Sequence, residues 1–111
     1  RALRAGVCVV TYARPEFLTR CLDLIAAQDF ERDKLDVIVI DDTQPSCRAA
    51  VEAALGDDLN KLLAPARLFY EELATRESIG SKRTRGLRLA AQNGCDVLVN
   101  WDDDDVYGAN R

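Results

Sequence analysis

Short runs of β-branched and aliphatic residues, each stopping abruptly at a polar cluster, constrain this chain more than any other feature. Residues 7–12, Val-Cys-Val-Val-Thr-Tyr, are apolar on nearly every position and read as a strand buried on both faces. Residues 36–41 repeat the pattern and end on the pair Asp41-Asp42. Residues 96–101 do so again and run directly into four acids, Asp102 to Asp105. A less apolar run at 67–73 reads as a further strand nearer a sheet edge.

Helical spacing fills the intervals. After Pro15, which suits a first helical turn, Phe17, Leu18, Cys21, Leu22, Ile25 and Ala26 recur on one face. Ser46 is placed to cap a helix running to about Leu55, closed by Gly56. Residues 57–65 read as a polar connection, and residues 80–93 as a helix with Gly94 as its stop. Strands alternating with helices predict an α/β fold, with a parallel four-stranded sheet covered by helices on both faces. Ligands of such sheets bind beyond the carboxyl ends of the strands. The clusters at Thr11-Tyr12-Ala13-Arg14, Asp41-Asp42 and Asp102 to Asp105 all fall there.

Composition narrows the partners. At 111 residues the chain fits one domain spanning 1–111, and 48% hydrophobic residues argue against disorder. With 15 basic and 19 acidic residues the net charge is −4, so no overall positive field exists to hold a nucleic-acid polymer. The absence of Met means that Arg1 is not a genetic start, and the chain reads as a piece of something longer or a processed product. Four cysteines without a C-x-x-C pair, and no His, exclude the usual zinc patterns and read as reduced thiols in a cytoplasmic setting. No apolar run approaches the ~20 residues of a membrane span, and no signal-peptide pattern opens the chain.

Each polar cluster admits a functional and a plain reading. The acid run is either a solvated loop or a site for Mn²⁺ or Mg²⁺, hard cations that relieve carboxylate repulsion. Between Arg76 and Arg88, five basic residues and one acid give a local charge of +4. Arg85 and Arg88 suit a solvated helix face. Lys82 and Arg83, near the helix start, suit a diphosphate. Neither a P-loop nor a G-x-G-x-x-G is present. Asp41 and Asp42 serve either as helix N-terminal charge or as acceptors for a base or ribose. Tyr12 either packs or offers a face for stacking. Metal-binding acids, a basic helix start and a base-reading acid together describe a nucleoside diphosphate site.

These segments resemble family 2 glycosyltransferases of the GT-A fold. The likeness runs through V-C-V-V-T-Y-A-R-P-E-F-L-T-R-C-L at 7–22, V-I-V-I-D-D-T at 37–43, I-G-S-K-R-T-R-G at 79–86 and N-W-D-D-D-D-V-Y-G-A-N-R at 100–111. The resemblance implies a Rossmann-like half-domain of strand order 3-2-1-4 that binds a UDP- or GDP-sugar. It places Tyr12 and Asp41 at the base, Arg83 near base or phosphates, and Asp103 near the ribose. Asp104 would hold Mn²⁺ or Mg²⁺ at the diphosphate, and because four consecutive acids allow two registers, Asp102 competes for the ribose or metal role. Thr11, Arg14, Asp42 and Lys82 complete the expected donor contacts, and the catalytic base is expected beyond Arg111.

The chain departs from the family pattern at Ala13 and Thr84, where Asn is common, and at Thr43-Gln44, where Gly-Ser is usual. Two rival readings stand beside the enzyme: a non-catalytic GT-A-like module, and a receiver-type domain. The latter would want its acids after the first and third strands.

Overall fold

The computed structural model describes residues 3–27 and 32–101. Strands β1 (Ala5–Thr11), β2 (Leu35–Asp41), β3 (Arg67–Glu72) and β4 (Val97–Asn100) form one sheet of order β3-β2-β1-β4. Every pairing is parallel, with Thr11 beside Asp41 and Asp41 beside Glu72, so β1, β2 and β3 end level, whereas β4 ends with Asn100 beside Cys8. Helices α1 (Pro15–Ala27), α2 (Arg48–Leu55), α3 (Leu59–Leu63) and α4 (Ile79–Gln92) connect them.

Residue alternation in β1 and β2 divides the core in two. Val9, Val37 and Val39 face Leu18, Leu22 and Ile25 of α1, together with Val51, Leu59 and Leu63. Cys8, Val10, Ile38 and Ile40 face α4 through Ala90 and Leu89. All seven residues of β2 are buried, as a central parallel strand requires. Helix α4 comes so close to β1 that a Cβ built on Gly86 would lie 2.3 Å from Cys8 Sγ. Cys8, Cys21 and Cys47 are buried, Cys95 is half-buried, and none forms a disulfide.

Three local expectations need correction. The 57–65 connection holds α3, whose N-cap Asp58 accepts from Asn60 N–H at 2.7 Å and whose Leu59 and Leu63 enter the core. The cap of α2 is Cys47, with no side-chain capping bond, and Ser46 lies one residue outside, its hydroxyl accepting from Arg48 N–H at 3.3 Å. Helix α4 begins at Ile79 behind a Ser78 cap, not at Gly80. Gly56 closes α2 in the left-handed region, as expected.

At the amino end of the sheet, Asp36 is fully buried and clasped by two arginines. Arg4 Nη2 and Arg67 Nη2 each lie 2.7 Å from its carboxylate, and Cys95 Sγ lies 3.1 Å away. Burial pushes the Asp36 pKa up, but the bonds from Arg67, Arg4 and Cys95 outweigh it and hold the carboxyl at about 2. Burial and the neighbouring Asp36 carboxylate push the Cys95 thiol up to about 11. This cluster fastens β1, β2 and β3 at the edge opposite the carboxyl ends.

Candidate functional site

Beyond the carboxyl ends, the two acids of Asp41-Asp42 point to opposite sides of the sheet and hold different loops. Asp41 is 0% exposed. Its Oδ1 accepts from Thr43 N–H at 2.9 Å, and its Oδ2 accepts from Cys47 N–H at 2.7 Å and the Tyr70 hydroxyl at 2.6 Å. Burial and the Asp41 carboxylate drive the Tyr70 phenol far above its ordinary pKa, so it is a permanent donor. Asp41 therefore organises the turn from β2 into α2.

Asp42 turns towards α4. Its Oδ1 lies 3.1 Å from Lys82 Nζ, and its Oδ2 accepts from Glu77 N–H at 2.7 Å. Lys82 is buried, and its ammonium also donates to the Thr11 carbonyl at 3.2 Å. One cation thus binds the ends of β1 and β2 to the head of α4. The structure brings Thr11, Asp42 and Lys82 into direct contact, with Asp41 adjoining.

The loop after β1 is fixed from the other side. Ala13 occupies the left-handed region at φ 53°, and its N–H donates to Thr43 Oγ1 at 2.7 Å. Tyr12 is 39% exposed, and the Arg76 guanidinium stands 4.0 Å from its ring centroid. Arg14 is exposed with its guanidinium 5.1 Å from the Phe17 ring. Arg83 is exposed on α4. Asp102, Asp103 and Asp104 lie outside the described residues. The backbone leads to them from Trp101, whose N–H donates to the Cys8 carbonyl at 2.7 Å.

Several participants escaped the sequence reading. Arg76 registered only as charge, although its guanidinium stacks over the Tyr12 ring. Arg85 is partly exposed, and it also clamps Glu77 with bonds of 2.8 and 2.7 Å. Those bonds and one from Ser81 hold the Glu77 carboxyl at about 2. Thr43, Gln44, Pro45, Ser46, Glu72 and Leu73 border a cavity of about 370 Å³ at the ends of β2 and β3. The signal for it was available in Thr43-Gln44, which departs from the small Gly-Ser of the resembled family.

Against known proteins, residues 6–111 match the model of glycosyl transferase family 2. The chain belongs to that family. No curated protein matches it in sequence. Family membership and the sheet order 3-2-1-4 agree on a GT-A, Rossmann-like half-domain, and give this glycosyl transferase family 2 chain a role in glycosyl transfer. The receiver-type reading falls with that assignment. Among the described residues, no helix is long and apolar enough to cross a membrane.

A metal finds no ready-made cage in the described part of this family 2 chain. There, no group of three or more His, Cys, Asp or Glu side chains could hold an ion. Asp41 and Asp42 are already engaged by donors from the protein itself. The side chains of Asp102 to Asp105 offer the all-oxygen chemistry that Mg²⁺ or Mn²⁺ prefers.

Proposed function

We propose that this chain is the donor-binding part of a metal-dependent, inverting glycosyltransferase that uses a nucleoside-diphosphate sugar. The observation that carries the proposal is the buried tie of Lys82 to Asp42 and Thr11. It gathers the loops after β1 and β2 and the head of α4 at the edge where ligands of open α/β sheets bind. The same edge is where the chain passes from Trp101 into its acid run.

In this reading Tyr12 offers its ring to the base, with Asp41 and Asp42 supporting that subsite from beneath. Lys82 holds the floor while contributing positive potential to the diphosphate, and the exposed Arg14 and Arg83 stand nearer the ligand. Thr11 supplies the wall at the end of β1. Asp103, or Asp102, takes the ribose. Asp104, with Asp102, holds Mn²⁺ or Mg²⁺, which when bound supplies positive charge to stabilise the departing diphosphate. An acceptor hydroxyl forms the new bond to the anomeric carbon as the bond to the diphosphate oxygen breaks, with inversion. The hydroxyl proton passes to a base outside the residues assigned here.

Calorimetric titration of the chain with UDP and GDP, with and without Mn²⁺, tests this. Binding that requires Mn²⁺ and disappears in Asp104→Ala supports the site. No binding of either nucleotide under either condition refutes it. Nucleotide binding without sugar transfer or donor hydrolysis favours the non-catalytic module.

A further inference from the structure

The cavity at the ends of β2 and β3 presents an unusual set of polar atoms. Glu72, the last residue of β3, is exposed at its rim and accepts from the Ser46 hydroxyl at Oε2. The Ser46 oxygen in turn accepts from Arg48 N–H at 3.3 Å, so that hydroxyl is filled. Gln44 Nε2 donates to the Leu73 carbonyl, which fixes the amide and identifies Oε1 as its accepting end. Leu73 N–H is taken by the Asp41 carbonyl at 2.8 Å. What the rim offers a ligand is chiefly acceptor character, led by a carboxylate.

The position matches one part of a nucleotide. Order β3-β2-β1-β4 puts this cavity two to three strands from β4, about 10–14 Å at ordinary strand spacing. That is the reach of an extended nucleoside diphosphate from its phosphates to its base. The loop carrying Tyr12 is tied to the cavity wall, because Thr43 in that wall accepts the Ala13 N–H. Resting on the donor reading above, with phosphates near the end of β4, the base falls in this cavity.

We infer that the base is guanine, read by the Glu72 carboxylate with Gln44 Oε1 as a second acceptor. Guanine places two adjacent donors, N1–H and the N2 amine, on one edge, and the Glu72 carboxylate can receive them at Oε1 and at the lone pair of Oε2 left beside the Ser46 bond. Uracil presents a single N–H flanked by two carbonyl oxygens, which would face the carboxylate. Adenine sets its amine beside an accepting ring nitrogen. A site built on acceptors disfavours both mismatched edges, since its lone pairs would meet lone pairs.

Titrating the 111-residue chain with GDP, IDP, UDP and ADP in the presence of Mn²⁺ decides the matter. GDP should bind roughly tenfold or more tightly than UDP or ADP, with IDP weaker than GDP for want of the N2 amine. Glu72→Gln should remove most of the GDP preference, with GDP weakened and UDP bound as tightly or more tightly, because the amide N–H can meet a uracil carbonyl oxygen. UDP binding as tightly as GDP, or a GDP preference indifferent to Glu72→Gln, overturns the inference and leaves the donor reading standing. Failure of all four nucleotides overturns both.

Discussion

Lys82 Nζ lies 3.1 Å from Asp42 Oδ1, and both side chains are almost wholly removed from solvent. Forty residues separate them, yet this pair joins the head of α4 to the end of β2, with the Thr11 carbonyl as a third member. Removing one partner strands a buried charge, which typically costs 3–5 kcal/mol, whereas removing both costs far less. Lys82→Met and Asp42→Asn should therefore each lower stability by about 3 kcal/mol, and the double variant should be more stable than the sum of the two losses implies. Urea unfolding followed by circular dichroism measures the cycle. Additive losses would show that the pair is not coupled.

Asp36 makes acid sensitivity a second readout. Its folded pKa of about 2 lies below the ordinary carboxylate value, because Arg67 and Arg4 outweigh the effect of burial. A depressed folded pKa means that the unfolded chain binds the proton more readily. The stabilisation is therefore complete above about pH 4 and is lost as pH falls through about 2. The shift corresponds to about 2 kcal/mol. Unfolding free energy measured from pH 6 to pH 2 should fall accordingly, and Asp36→Asn should flatten that part of the profile at lower overall stability. An unchanged slope in Asp36→Asn would assign the acid sensitivity elsewhere.

These two clusters also mark where reading the sequence stopped short. The parallel sheet was legible because β1 and β2 carry apolar residues on both alternating sets, a pattern only a strand covered on two faces needs. Asp41, Asp42 and Lys82 were legible as polar residues at one edge. Their partners were not, since a contact between residues 40 apart leaves no local pattern, and neither do the backbone N–H groups of Cys47 and Glu77 that occupy the two acids. Helix α3 was hidden for a different reason. Five residues are too few for periodicity, and only the Asp58 cap and the burial of Leu59 and Leu63 distinguish it from a polar loop.

Two glycines on α4 should respond oppositely to alanine. A Cβ at Gly86 would sit 2.3 Å from Cys8 Sγ, whereas one at Gly80 would meet nothing within 4 Å. Alanine favours a helix by about 1 kcal/mol over glycine, and overpacking costs typically 1–3 kcal/mol. Gly80→Ala should be neutral or stabilising by up to about 1 kcal/mol, and Gly86→Ala destabilising by about 1–2 kcal/mol. Cys8→Ala removes the obstructing sulfur, so Gly86→Ala should cost less in that background. Thermal unfolding of the four variants checks the pattern, and a Gly86→Ala as stable as the parent would mean that α4 shifts away from β1 without penalty.

Ala13 carries the strain of the loop after β1. At φ 53° its Cβ crowds the backbone, a conformation that glycine adopts freely and asparagine tolerates far better than other residues. The position is held by its N–H bond of 2.7 Å to Thr43 Oγ1, which joins the Tyr12 loop to the turn organised by Asp41. Asparagine, common here in the family this chain resembles, should relieve the strain while keeping the N–H. Ala13→Asn is expected to stabilise by about 0.5–1 kcal/mol, and Thr43→Val to destabilise by a similar amount through the lost acceptor. In Thr43→Val the gain from Ala13→Asn should shrink, because the left-handed turn is no longer enforced. Chemical denaturation of the single and double variants reads this coupling, and equal gains in both backgrounds would show that Thr43 does not hold Ala13 in place.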